Sequence, residues 1–477
     1  MTESGVGTAL DAIRQSGSRS WLVGGAVRDR LLGRETGDYD VAVEGDVRRL
    51  ARRVAAEVDA FSFELSHGFG AWRIVPRRGA GGPPWQLDLL PVLSGSIEAD
   101  LAQRDLTVNA LAQPLGQDDL IDPFGGLRDL DERRLRMVSA DAFDRDPLRT
   151  LRLVRLSCEL SFELEPATAA QARRSASGLE RVSPERVFEE FKRILCAQNP
   201  GAGLGLMAEL GITAVLLPEL WSLRGVEQSR FHHLDVHDHT LSVLAETVAL
   251  EHAPDRHLGR CAQAADEFLS APLANGLTRW QTLRFGALLH DVAKPQTRAV
   301  TAEGRVTFMG HDVAGSETAG QILVRLRASS RLREHVAGLV RHHLRLGFLV
   351  HCAPLSRRDI YHYLKACRPV EVDVTVLSVA DRLATRGDRA QDAIAAHLRL
   401  ADELLCEALQ WQAAPPRPPV RGDELAAALG VVPGPAIGVL LEELEEAAFA
   451  HEISSPEEAI ARARELAAGP ATPARDR

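Results

Sequence analysis

Apolar residues in the first part of the chain come in short runs, whereas beyond about residue 140 they recur at helical spacing. Trp21–Val23 is a brief apolar run that breaks at Gly24-Gly25. The following AVRDRLLG places Ala26, Val27, Leu31 and Leu32 on one helical face. This pattern predicts a strand, a glycine turn and a helix, and then a second strand carrying Asp38 and Asp40. Asp46–Ala60 reads as a helix, Phe61–Phe63 and Ala71–Val75 as strands, Gly79–Pro84 as a flexible turn, and WQLDLLPV as a strand bearing Asp88. Helices are expected over Asp141–Leu156 and Leu179–Cys196. The second of these takes Val187, Phe188, Phe191, Ile194 and Leu195 as its core face. Residues 413–420, AAPPRPPV, read as a linker ahead of a final helical stretch.

The first of these elements suggests chemistry. Glycines before a helix let backbone amides approach a phosphate, and the helix start carries partial positive charge. Gly25 is the candidate cradle and Arg28 a candidate charge-assisted contact. Asp38 and Asp40 are two apart on a strand, so both carboxylates project from one face and can share a metal site. Mg²⁺ takes one or two protein carboxylates and leaves its other positions to water and substrate phosphates. A phosphate cradle beside this carboxylate pair points to metal-assisted nucleotidyl transfer.

LVGGAVRDRLLGRETGDYDVAV resembles the signature of the class II tRNA nucleotidyltransferase and bacterial poly(A) polymerase family, within the DNA polymerase β-like superfamily. The resemblance implies an α+β polymerase-β-like nucleotidyltransferase head (residues 1–140), followed by an all-α neck for base and RNA binding (141–225). It makes Asp88 a candidate third catalytic carboxylate, which otherwise reads as a solvent-facing edge-strand residue. SIEADLAQRDLTVNALA is similar to the family's next motif. There Arg104 would contact the triphosphate, while Asp105 and Asn109 hold backbone and helix ends. Asp122, Gly125 and Gly126 would turn the chain out of the head.

In DAFDRDPLRTLRLVRL, Asp146-Pro147 is a good helix start, with Asp146 as N-cap and Pro147 at the first helical position. Asp146, Arg149 and Arg152 also share a face, and the resemblance makes Asp146 and Arg149 a template for the incoming base. Cytosine and adenine each present an amino donor beside a ring-nitrogen acceptor, which matches a carboxylate and a guanidinium. Uracil and guanine have the reverse polarity and would leave buried polar groups unpaired. Arg145 stands where the family usually has Glu. Glu185 and Arg186 are expected to brace the template helix.

Beyond Phe231, DVHDHTLSVL carries His239, ALLHDVAKP carries His290-Asp291, FMGHDVAGSETA carries His311, VRHHLRLGF carries His342 and His343, and SVADRLATRG carries Asp381. The order resembles the HD superfamily of metal-dependent phosphohydrolases, here residues 226–412. His239, His290, Asp291 and Asp381 would form one site, and the further histidines His311, His342 and His343 suit a second metal, with His342 taken as the ligand of the adjacent pair; a transition ion such as Mn²⁺, Ni²⁺ or Co²⁺ is expected. His237 and His351 are incidental in this reading. The segment 413–477 resembles the family's C-terminal helical region, which packs on the tRNA body or supports a homodimer.

Composition narrows this only a little. The chain has 477 residues, 45% of them hydrophobic, and can hold several domains. It shows no apolar run of membrane-span length and no signal-peptide core, so the cytoplasm is the expected compartment. Six cysteines without a CxxC pair suggest neither a disulfide framework nor a thiolate zinc site. A net charge of −10 argues against a general nucleic-acid coat but permits a local basic cleft. The expected activity is Mg²⁺-dependent addition of C and/or A to tRNA 3′ ends from CTP and ATP. The alternatives are a poly(A) polymerase, a partial CC- or A-adding enzyme, or mainly an HD phosphohydrolase.

Overall fold

The N-terminal strands form one six-stranded sheet in a computed structural model, ordered β3-β4-β5-β2-β1-β6. The strands are β1 (Ser20–Val23), β2 (Asp38–Val43), β3 (Ala60–Ser66), β4 (Ala71–Pro76), β5 (Gln86–Pro91) and β6 (Ala112–Pro114). The helices among them are α1 (Gly5–Gln15), α2 (Gly25–Leu31), α3 (Val47–Glu57) and α4 (Ile97–Leu101). The structure describes residues 5–66, 70–77, 85–92, 95–228, 234–385 and 390–468. The turn expected at Gly79–Pro84 and the segment around Phe231 lie outside them.

The β2–β5 pair is parallel, and the other pairings of the sheet are antiparallel. One face is covered by α3, whose Leu50, Ala51 and Val54 are buried, and Arg48 and Arg52 reach across the Trp72 ring. Asp46 starts α3 by accepting the Arg49 N–H at 2.9 Å. At the β1–β2–β6 end of the opposite face, Ile97 and Leu101 of α4 pack on Val23, Ala42 and Ala112. The middle of that face holds the acidic residues.

The chain divides into two compact units, Met1–Leu216 and Leu217–Arg477. The first unit therefore contains both the sheet and the neck. After the sheet, Asp122 accepts the Gly126 and Leu127 N–H groups at 2.7 and 2.9 Å, with Gly125 left-handed, and this builds the expected turn. The neck helices Leu148–Leu160 and Pro184–Leu195 pack together, burying Leu151, Val154, Phe188, Phe191 and Ile194.

Among its described residues the second unit is helical apart from two short hairpins, Pro272–Ala274 with Leu277–Thr278 and Ala299–Val300 with Val306–Thr307. Val236–His252, Arg279–Leu289, His311–Arg325, Ser330–His342 and Glu371–Ala384 surround its histidines. The last three helices, Gly422–Leu429, Pro435–Phe449 and Pro456–Ala468, have a small core of their own around Leu425, Leu444 and Ala459. Arg358 ties them to the neighbouring helix through Glu446 and Glu452. Cys261 and Cys406 are joined as a disulfide, contrary to the expectation from cysteine spacing. Their separation of 145 residues carries no local signal, since only folding brings the two segments together. Among the described residues no helix is long and apolar enough to cross a membrane.

Candidate active site and a histidine-carboxylate centre

In the first unit a cleft of about 820 Å³ is lined by Gly25, Arg28, Asp38, Asp40, Asp88, Arg104, Asp146, Arg149 and Arg152, the nine head and neck residues expected from sequence at metal or nucleotide. The strand register explains the acidic end. Asp40 lies directly opposite Asp88 across the parallel β2–β5 pair, and Asp38 is two residues before Asp40 on the same face. Burial raises the Asp40 pKa. Arg104 opposes that shift, and the Asp88 and Asp38 charges add to it. The three carboxylates gathered here fit a divalent cation, which would relieve the repulsion that Asp88 and Asp38 exert on Asp40.

Asp88 is not left to solvent. Arg73, opposite it on β4, donates from Nε and Nη2 to its two oxygens at 2.7 and 2.8 Å. Sequence reading did not single out Arg73. Its signal is the alternation AWRIV, in which Trp72 and Ile74 face α3 and Arg73 faces the other way.

The glycine turn differs in detail from expectation. Gly24 rather than Gly25 is the position that only glycine fits: its φ is +68°, and a Cβ there would lie 2.5 Å from Arg104 Nη1. Arg28, expected at a phosphate, is buried. It donates to Asp29 at 2.9 Å and to Asn109 at 2.6 Å, so it locks α2 to the Thr107–Asn109 turn. Asp105 does hold backbone, as expected, by accepting the Leu106 N–H at 2.9 Å and the Asn109 amide at 3.0 Å. It also accepts from Arg152 Nε at 2.9 Å. Burial opposes its charge, but Arg152 and these hydrogen bonds hold its carboxyl well below the usual range.

On the neck side, Asp146 lines the cleft but is not the N-cap expected: the helix runs Leu148–Leu160 with Pro147 at its N-cap and no side-chain cap bond, and Asp146 ends the short helix Ala142–Arg145 before it. One oxygen accepts the Leu148 N–H at 3.3 Å, and the other accepts from Arg186 at 2.8 Å. Arg149 donates to the carbonyls of Gln103 at 2.5 Å, Ala142 at 3.2 Å and Arg104 at 3.3 Å, tying the neck helix to the loop before Asp105. Arg145 turns away from the cleft pair, toward Gln103, Ser139 and Asp141. Beyond Arg152 the charges alternate: Glu190 bonds Arg155, and Glu159 bonds Arg155 and Arg193. Arg155, Glu159, Arg186 and Arg193 line the same cleft.

The second unit gathers the HD residues into two groups, His239 with His290 and Asp381, and Asp291 with His311 and His343. Of the two adjacent histidines it is His343, and not His342 as chosen from sequence, that joins the second group. The neighbouring His342 is half-buried, with its Nδ1 bonded by Arg345 at 3.0 Å. The helical stripe Leu332, Val336, Leu339, Val340 continues to 343 and not to 342, a periodicity that identifies the inward histidine.

His290, His311 and His343 each bond through Nδ1 to the carbonyl three residues earlier, at 2.7–2.8 Å. That arrangement turns their buried Nε2 atoms toward Asp291, at 3.1, 3.3 and 3.9 Å. A ring lone pair facing a carboxylate is repulsive unless a proton or cation lies between them, and backbone-anchored imidazoles are typical metal ligands. Burial works against charge on His290, but Asp291 pushes its pKa up. Burial and the His290 charge push His343 down to about 4. The donor set fits metal ions. Lys294, also missed from sequence, places Nζ 2.6 Å from Asp291 Oδ2.

Residues 20–75 and 86–136 match the family model described as the poly A polymerase head domain. Residues 161–224 match its probable RNA and SrmB-binding site, and 236–386 match the HD domain. The chain is 37% identical over 446 residues to an A-adding tRNA nucleotidyltransferase of Deinococcus radiodurans, covering 92% of this chain and 94% of the relative. It is 34% identical over 448 residues to a CC-adding tRNA nucleotidyltransferase of Thermus thermophilus, covering 92% of each. A solved CCA-adding enzyme in complex with ATP shares the fold with a TM-score of 0.62 at 20% identity, covering 96% of this chain and 94% of that one.

Proposed function

We infer that this chain, which belongs to the class II tRNA nucleotidyltransferase and poly(A) polymerase family, adds C and/or A residues to tRNA 3′ ends from CTP and ATP. The observation that carries this reading is the single cleft that joins the carboxylates of β2 and β5 to the Asp146–Arg186 pair and the arginines of the neck.

Mg²⁺ held by Asp38 and Asp40 would supply the acidity that activates the RNA 3′ hydroxyl and the positive charge that stabilises departing pyrophosphate. Asp88, clamped by Arg73, keeps a third negative charge beside Asp40 in a fixed position. Arg104 lies against Gly24, where the triphosphate of the resembled motif binds, and Arg152 completes the positive side of the cleft. Asp146 offers a fixed acceptor because one oxygen accepts from the Leu148 N–H and the other from Arg186. An amino group of cytosine or adenine can donate to it, while the carbonyl of uracil or guanine would face a carboxylate.

A second reading applies to the other unit, on the strength of its two ligand groups and anchored imidazoles. It hydrolyses a phosphoester, such as a 2′,3′-cyclic phosphate on a damaged RNA end, with transition-metal ions.

The test uses purified protein with tRNAs ending before CCA, after C and after CC, and with a poly(A) primer, each offered single nucleotides. Incorporation of C or A on tRNA ends is expected, and the set of accepted ends gives the product. No addition of any nucleotide to any tRNA end would overturn the reading, and addition confined to the poly(A) primer would replace it with the poly(A) alternative.

A further inference from the structure

The row of residues that contains the catalytic carboxylates does not stop at Asp88. Asp40 opposes Asp88, Asp88 opposes Arg73, and Arg73 opposes Phe63 on β3. Directly paired residues of adjacent strands project to the same face, so Phe63 shares the face of the carboxylates. Phe61, two residues earlier, shares it too. On the reverse face, α3 covers Trp72 and Ile74.

Phe61 and Phe63 are 50% and 46% exposed, although they lie on the outer strand of a sheet whose other side is packed. The Arg77 guanidinium lies 4.5 Å from the Phe61 ring centroid, held there by Asp59 at 2.8 Å. Two rings in line, bordered by a fixed cation, stand about three strand spacings, ~14 Å, from Asp40. Exposed aromatic faces beside guanidinium groups are the chemistry that stacks unpaired bases of single strands without regard to sequence.

We propose that Phe61 and Phe63 form a stacking platform for the unpaired bases of the RNA 3′ strand whose terminal hydroxyl is extended at Asp38 and Asp40. The proposal rests on the nucleotidyltransferase reading above. Continuity selects the occupant. The platform lies on the face where the primer end must arrive, in the same residue row as Asp40 and Asp88, and the Arg77 guanidinium over the Phe61 ring adds a planar group beside it. Sequence-tolerant stacking also suits a primer end whose last bases change with each addition.

The experiment compares the full chain with a Phe61→Leu/Phe63→Leu double variant, which keeps apolar area and removes the flat rings, and with Phe61→Tyr/Phe63→Tyr, which keeps them. Two quantities are read: steady-state constants for tRNA and for nucleotide, and quenching of 2-aminopurine placed near the 3′ end of an RNA lacking its last residues. The leucine variant should raise the KM for tRNA about tenfold or more and lose the quench. Its KM for ATP or CTP and its rate at saturating tRNA should stay within twofold of the wild type. The tyrosine variant should behave as wild type.

An unchanged tRNA KM and quench in the leucine variant, with its melting temperature retained, would overturn the platform. A change of oligomeric state in light scattering with unchanged RNA binding would assign the surface to a second copy instead, and would equally overturn it. The quench is read without turnover. A wild-type protein that adds no nucleotide would therefore sink the activity reading while the quench still decides the platform.

Discussion

Asp40 on β2 and Asp88 on β5 face each other at one level of a parallel strand pair, and Arg73 holds the second of them from the far side. This row makes the two carboxylates unequal. Asp40 is raised in pKa by burial and by its acidic neighbours, whereas both oxygens of Asp88 are engaged by a guanidinium. Asp38→Ala and Asp40→Ala should each lower kcat by at least 10³-fold without unfolding the protein, since an absent metal ligand costs several kcal/mol of transition-state stabilisation. Direct Mn²⁺ titration should show weaker binding in both. Arg73→Gln should leave nucleotide KM nearly unchanged and lower kcat about tenfold, with Arg73→Lys partly restoring it, because it frees Asp88 without removing it. Near wild-type turnover in both aspartate variants would refute the site.

Asp146 touches Arg186, while Arg149 is bonded to three backbone carbonyls. Asp146→Ala should relax discrimination against UTP and GTP more than it weakens triphosphate binding. Arg149→Met should lower the melting temperature and slow all nucleotides alike if its carbonyl bonds are its main role. It should relax selectivity if it is the donor half of the template, as the family resemblance implies. Single-turnover incorporation of four nucleotides, measured beside thermal melts, separates these results. Selectivity intact in the Asp146 variant would leave that residue a structural partner of Leu148 and Arg186 only.

His290→Ala/Asp291→Ala should remove transition metal from the purified protein and any phosphohydrolase activity, with nucleotide addition nearly unchanged. His343→Ala should lower the metal content, and His342→Ala should not, because only the first turns Nε2 toward Asp291. Metal analysis of the four proteins checks this. Retention of metal in the His343 variant would contradict the ligand assignment.

Asp105 carries a pH prediction. Its carboxyl titrates well below the usual range in the fold, chiefly because Arg152, Asn109 and the Leu106 N–H outweigh its burial. Its contribution to stability is therefore present above the unfolded value near 4 and is lost as pH falls from there toward the folded value. Asp105→Asn should cost about 1–3 kcal/mol at pH 7, and the difference from wild type should shrink below about pH 4. Urea melts at pH 7 and pH 3.5 give the comparison.

The sequence by itself determined the order of elements and which candidate side chains each carries. Short-range periodicity accounts for this. Asp38 and Asp40 are two residues apart on one strand, Asp46 caps α3, and Val187 to Leu195 keep a helical stripe, all facts within one element. The motifs are similarly local, so the head, the neck and the histidine series could be identified from residues close in the chain.

Tertiary structure decided which side chains meet. Asp88 acquired Arg73 because β4 pairs with β5 in one register, and a shift of one residue would have turned Arg73 toward α3. Arg28 gave its guanidinium to Asn109, 81 residues away. Between the adjacent His342 and His343, a helical phase of one position selected His343. Cys261 met Cys406 across 145 residues, which no spacing rule reports. Local sequence sets the direction in which each side chain leaves its own strand or helix, and the packing of elements distant in the chain sets what it reaches.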